Sequence, residues 1–250
     1  MNKNEKIDKL AEMLKNSNRI VFFGGAGVST ESGLKDYRSA DGIYNTACNY
    51  ALPPEELLSR NCLAEKPELF YRFYRDYFIC DVKPNAAHLA LAKLEQSGKD
   101  LSVVTQNIDG LHQKAGSKKV YELHGSALRY YCMSCKKRYD VDYIVKSSTN
   151  IPLCSDCSGI VRPDVTLYGE ILNEKVISQA VNAISNAEMM IIAGTSLAVY
   201  PAASFVRYFS GDKLVIINKD KTDYDTSADL VFHDRVGEVL SEAIAYFDNR

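Results

Sequence analysis

At 250 residues the chain has the length of one large domain, close to the roughly 250–300 residues at which single cores stop growing, which argues against a peptide or a lone small module. Its 46% hydrophobic and 25% charged content can fill a sizeable core and excludes wholesale disorder. Thirty Lys and Arg against thirty-two Asp and Glu leave a net charge of −2, so the composition carries no global attraction to nucleic acid or an anionic membrane.

Ile7, Leu10, Ala11 and Leu14 recur at helical spacing and predict an amphipathic first helix. The opening MNKNEKIDKLAEMLKNSNRI lacks the apolar run of a secretory signal, and no later stretch is apolar for long enough to span a bilayer, so a cytoplasmic location is expected. Ile20-Val21-Phe22-Phe23 then reads as a buried strand running into Gly24-Gly25-Ala26-Gly27. Glycines there suit close backbone approach to a phosphate, with the following helix presenting its amino end; a tight strand–helix turn would use them equally well. Thr30 stands where the last glycine of a G-x-G-x-x-G would be, and no acidic residue ends a second strand some twenty residues on, as an ordinary dehydrogenase requires.

Further apolar runs at Leu101–Val104, Met189–Ala193 and Leu214–Ile217 predict parallel strands buried on both faces. Helical periods lie between them: Ala87, Leu91 and Leu94 after Pro84-Asn85; Ile177, Ala180, Val181 and Ile184; and Val236, Val239, Leu240, Ala243 and Phe247. The alternation predicts an α/β fold, a doubly wound parallel Rossmann-like sheet. Two stretches interrupt it, 36–80 and 128–160, and are assigned to an inserted smaller lobe, helical and metal-binding. Residues 1–35, 81–127 and 161–250 form the sheet domain.

Seven cysteines is an odd number, and in a reducing compartment disulfides explain them poorly. Cys132-x-x-Cys135 and Cys154-x-x-Cys157 have the spacing of two knuckles closing one tetrahedral zinc site. Four thiolates leave no open position, so zinc there would be structural. The alternative is four small core residues. Cys48, Cys62 and Cys80 are expected to be packing residues. Three strand ends carry polar residues where an open α/β sheet binds its ligand: Thr105–Asp109, Gly194-Thr195-Ser196 and Asn218-Lys219-Asp220. Each could instead cap a helix. His124 lies just before the cysteine lobe and suits a general base, whereas structural roles are expected for His88, His112 and His233.

The segments GAGVSTESGLKDYRSADGIY, PNAAHLALAKLE, TQNIDGLHQKAG, VYELHG, the two C-x-x-C pairs, RPDVTLYGE, GTSLAVYPAA and INKD follow one another as in the sirtuin family of NAD-dependent protein deacylases. The resemblance covers nearly the whole chain. It implies that Ala26, Gly27 and Thr30 cradle the pyrophosphate of NAD, with Asp36, Tyr37 and Arg38 on the loop covering it. Gln106, Asn107, Ile108 and Asp109 would receive nicotinamide and its ribose. Thr195, Ser196, Asn218, Lys219 and a backbone contact near Val236 would hold the adenosine half. His124 would be the catalytic base, with Asn107 and Asp109 as its catalytic companions. Val165, Leu167, Tyr168 and Gly169 would pair with an extended peptide carrying the acylated lysine of a protein substrate. In the implied reaction NAD is a consumed co-substrate: the acyl oxygen displaces nicotinamide, and O-acyl-ADP-ribose and lysine are released.

Lys35, Tyr37 and Tyr168 stand where the family usually has Pro, Phe and Phe, and Asn173 where Pro often closes the substrate loop. The small-lobe segment Phe70-Tyr71-Arg72-Phe73-Tyr74-Arg75 has no Tyr three residues before an Arg, the pair that dicarboxylic-acyl sirtuins use. Acetyl or longer apolar acyl groups are therefore expected. The alternatives are mono-ADP-ribosyl transfer or long-chain deacylation at the same site, and a zinc-containing binding module without turnover. For that module, Lys136, Lys137 and Arg138 supply a short basic run but no stacking platform, so direct nucleic-acid binding is not expected.

Overall fold

Each apolar run ends in small or polar residues, and this decides where the chain turns. In the computed structural model, which describes residues 1–37, 39, 41–46 and 50–248, the runs become strands of one layered sheet. Arg38, Cys48 and the side chain of Phe247 lie outside the described residues. The elements in chain order are α1 (Lys3–Lys15), β1 (Arg19–Gly24), α2 (Ile43–Thr46), α3 (Pro54–Leu57), α4 (Arg60–Glu65), α5 (Pro67–Phe78), α6 (Ala86–Gln96), β2 (Asp100–Thr105), α7 (Leu111–Ala115), β3 (Val120–Glu122), β4 (Gly125–Cys132), β5 (Arg138–Asp140), α8 (Val141–Val145), β6 (Val161–Val165), α9 (Glu174–Ser185), β7 (Met189–Ala193), β8 (Lys213–Ile217), β9 (Leu230–Phe232) and α10 (Val236–Asp248).

The larger sheet has six strands in the order β3-β2-β1-β7-β8-β9, every neighbouring pair parallel. Both faces of the central strands β1 and β7 are buried. Ile20 and Phe22 of β1 join Leu10, Leu14, Leu91, Leu94, Val239 and Leu240 under α1, α6 and α10. Val21 and Phe23 point the other way, onto Ala180 and Ile184 of α9 and Ala203, Phe205 and Val206 of a 3₁₀ segment. The first helix starts on a capping box, in which the Asn2 side chain accepts from Glu5 N–H and the Glu5 carboxylate accepts from Asn2 N–H.

A second, antiparallel sheet of three strands, β5-β4-β6, carries the cysteine pairs. Its core is aromatic: Phe70, Tyr71, Phe73 and Tyr74 of α5 pack with Tyr130 of β4 and Ile144 of α8. This packing extends beyond the expected lobe limits, because Ala127, Val161, Val165 and Leu167 belong to the same cluster. Strand β6 thus sits with the small lobe and leads straight back to the large sheet.

Two expectations need correction. Among the described residues, no α-helix follows the glycine loop directly; two short 3₁₀ turns, Ala26–Val28 and Thr30–Ser32, do, and Gly33 at φ 91° ends them. Cys80 is exposed beyond the end of α5 and is not a packing residue, whereas Cys62 is buried in the small-lobe core. Among the described residues, no helix is long and apolar enough to cross a membrane.

Candidate active site

Because the strands of the large sheet are all parallel, their carboxyl ends lie along one edge. The order β3-β2-β1-β7-β8-β9 puts the point where the strand order reverses between β1 and β7. There Gly25 N–H donates to Ala193 O (3.1 Å) and Gly27 N–H to Gly194 O (2.8 Å). A Cβ on Gly27 would lie 2.8 Å from Gly194 Cα, and one on Gly25 2.7 Å from Thr195 Cβ. Gly194, at φ 57°, would meet Val28 N at 2.3 Å. These glycines therefore bring two loops into backbone contact and form the floor of the crevice, a role additional to any approach to a ligand. Thr30 Oγ1 donates to Gly27 O (2.9 Å) and braces the same turn.

The polar residues after β2 face this floor. Asn107 N–H donates to Thr105 Oγ1 (3.0 Å), while Asn107 Nδ2 donates to Gly25 O (3.1 Å) and to Ser29 Oγ (3.0 Å). Ser29 in turn donates to Asp109 Oδ2 (2.7 Å), and the other Asp109 oxygen accepts from Leu111 N–H (2.9 Å). Gln106 Nε2 donates to Thr195 Oγ1 (3.1 Å), which ties the β2 and β7 ends together. Ser29, 2% exposed, is the member of this network that sequence reasoning missed; a short polar residue amid small ones has no periodic signature.

His124 follows β3 and is half-buried. Its Nδ1 lies 2.8 Å from Gln106 O, and a carbonyl can only accept, so Nδ1 carries the proton and Nε2 keeps its lone pair. Burial lowers its pKa from the usual histidine value and the Gln106 hydrogen bond offsets part of that, so the ring is neutral near pH 7. Deeper behind the site, His88 and His112 are buried with ring centroids 4.6 Å apart. Burial brings His88 down to about 4 and His112 to about 3.

On the far side of the reversal, Asn218 N–H donates to Phe232 O (3.0 Å) and its side chain to Asp220 O (2.9 Å). Ser196 and Lys219 are exposed, and Val236 is buried at the start of α10, where Gly237 N–H donates to Glu31 Oε1 (3.0 Å). Toward the small lobe, Tyr37 and Ile108 pack against its aromatic cluster, and burial raises the Tyr37 phenol strongly. Asp36 O accepts from Ile43 N–H (2.8 Å), and Tyr44 Oη lies 3.2 Å from Tyr168 Oη.

The segment after β6 is tied at three points. Thr166 N–H donates to His124 O (2.9 Å), Tyr168 N–H to Leu58 O (3.0 Å) and Arg60 N–H to Tyr168 O (3.0 Å). Both backbone groups of Tyr168 are thus engaged within the chain, and Gly169 follows it at φ 85°.

The sulfurs of Cys132, Cys135, Cys154 and Cys157 lie within 4.8 Å of one another. Backbone N–H groups point at two of them, Cys135 N at Cys132 Sγ (3.5 Å) and Asp156 N at Cys154 Sγ (3.4 Å). Tyr139 O–H donates to Cys154 Sγ (3.0 Å) and draws that thiol down to about 6. An all-sulfur tetrahedral set with stabilised thiolate fits zinc, held structurally by all four.

A model of the Sir2 family matches residues 25–201, more than half of the chain. The chain belongs to the Sir2 family. Among relatives of this Sir2 protein, the NAD-dependent protein deacetylase of Clostridium acetobutylicum is 54% identical over 96% of this chain and 98% of its own. That of Clostridium perfringens is 54% identical over 96% and 99%. A solved structure of Sir2 with a p53 peptide and NAD+ has a TM-score of 0.85 at 39% identity, covering 98% of this chain and 99% of that one.

Proposed function

We infer that this Sir2 protein is an NAD-dependent protein-lysine deacetylase. The observation that carries the reading is the hydrogen-bonded chain Asn107–Ser29–Asp109 beside a neutral His124, at the switch point of a parallel sheet. When bound, NAD supplies an anomeric carbon with nicotinamide as leaving group. The chain's part is to hold, orient and exclude water. Asn107, Asp109, Gln106 and Ile108 hold the nicotinamide end, their amide and carboxylate already oriented by Ser29 and Gly25. Ala26, Gly27 and Thr30 line the floor for the pyrophosphate, with Asp36 and Tyr37 on the loop that covers it. Thr195, Ser196, Asn218, Lys219 and Val236 take the adenosine half. Nε2 of His124 is the atom able to accept a proton from a ribose hydroxyl, because Nδ1 is occupied.

The partner is an acylated lysine presented as an extended peptide between residues 165–169 and the small lobe, residues 36–80 and 128–160. The exposed thiol of Cys80, outside the zinc set, suits a reducing compartment such as the cytoplasm. Relatives at 54% identity bearing the same activity support the reaction class. Nicotinamide release from NAD by purified protein tests it, with acetyl-lysine peptide, succinyl-lysine peptide and no peptide in parallel. Release with acetyl-peptide alone is expected; release without peptide would favour ADP-ribosyl transfer or NAD hydrolysis, and none in any tube would overturn the reading.

A further inference from the structure

Arg162 on β6 is 7% exposed, a costly place for a guanidinium unless every donor is met. Its acceptors all belong to the next eight residues. Nε donates to Pro163 O (3.2 Å) and one terminal nitrogen to Val165 O (2.8 Å). The two terminal nitrogens also reach the two oxygens of Glu170, at 2.5 and 2.9 Å. The Glu170 carboxylate accepts in addition from Leu167 N–H (2.9 Å), and Glu170 N–H closes back on Leu167 O (2.9 Å). Burial alone would raise the Glu170 carboxyl, but its hydrogen bonds from Arg162 and Leu167 outweigh that and hold it below its ordinary value, ionised at neutral pH.

Residues 163–170 are therefore wrapped around one planar, bidentate cation. The wrapped segment is tied outward to His124 through Thr166 and to Leu58 and Arg60 through Tyr168. We propose that Arg162 and Glu170 are positioning residues for acyl-peptide binding: they fix the peptide-facing edge at Val165–Gly169 relative to His124 without touching substrate. The proposal rests on the deacetylase reading of that loop. A guanidinium whose acceptors all lie in one loop releases that loop when it is lost and leaves the crevice of the large sheet in place.

The test compares zinc-loaded full-length protein with its Arg162→Gln, Arg162→Lys and Glu170→Gln variants. KM for an acetyl-lysine peptide is expected to rise about tenfold or more in Arg162→Gln and Glu170→Gln, since small misplacements of a binding edge are costly. KM for NAD and kcat at saturating peptide should stay within about twofold of wild type. Arg162→Lys should be intermediate, keeping the charge but losing the fork. Anisotropy of a fluorescent acetyl-lysine peptide without NAD should show the same loss of affinity. Should Arg162→Gln not fold, the nearly isosteric Glu170→Gln carries the test. Unchanged peptide affinity in active variants, or equal increases in both KM values, would overturn the proposal alone; a wild type that turns over no acyl-peptide would overturn the function beneath it.

Discussion

The crevice of the large sheet and the cysteine lobe are built in opposite ways. In the crevice, Gly25, Ser29, Asn107, Asp109, His124 and Thr195 come from four strand ends and meet because parallel strands finish on one side. In the lobe, four thiols from two tight turns meet through local spacing, on a sheet of only three strands. The crevice thus depends on a large core beneath it, and the lobe on a cross-link. Damage to the metal site should spread through its lobe, while damage to a crevice side chain should stay chemical.

The sharpest break is metal removal. Structural zinc contributes folding free energy on the order of 10 kcal/mol in small zinc modules, so a chelator should unfold the antiparallel sheet and abolish peptide turnover. Hydrogen exchange should then show lost protection in β4–β6 and retained protection in β1, β7 and β8; full activity in metal-free protein would contradict this. Next is His124→Ala, expected to lower turnover about 10²–10⁴-fold with the thermal midpoint unmoved. A collapsed midpoint would return His124 to a structural role. Burial lowers its pKa, so the acid limb of kcat/KM should fall below the ordinary histidine value of about 6.5.

Acid should affect the crevice side through His88 and His112. Both rings stay neutral in the fold and titrate near 6.5 when unfolded, so their stabilisation is complete above that pH and is lost as pH falls toward about 4 and about 3. The loss is at most about 1.4 kcal/mol per pH unit for each ring. Thermal midpoints should decline from pH 6.5 to 4.5, and His112→Phe should flatten the decline; equal slopes would exclude these rings as the cause. The smallest effect belongs to Tyr168→Phe, which removes the 3.2 Å contact with Tyr44 at the half-exposed mouth of the site. A hydrogen bond of this kind contributes about 0.5–1.5 kcal/mol, so a rise of a few-fold in KM for acetyl-lysine peptide is expected, measured at saturating NAD.

Much of both regions was legible in the sequence, for physical reasons that also explain what was missed. The run Met189–Ala193 is apolar at every position because both faces of a central parallel strand are buried, and it appears as β7 with those bounds. Strands β3 and β9 have three residues each and sit at the sheet edges, too short to show a period. β4 was hidden because a register irregularity between Ser126 and Tyr130 interrupts its alternation, and β6 because Arg162, Pro163 and Asp164 break its apolar run. The glycine loop suits phosphate approach or a tight turn from its local residues, but its close approach to Gly194, more than 160 residues further along the chain, leaves no local pattern.

By itself the sequence determined the α/β class, the buried strands and the thiol quartet, because periodicity and x-x spacing act over a few residues. Only the tertiary structure decided that Ser29 joins Asn107 to Asp109, that Gln106 O fixes the tautomer of His124, and that Arg162 is enclosed by the loop it precedes. Those are hydrogen bonds between groups brought together by strand order and chain turns, and their partners cannot be read from spacing along the chain.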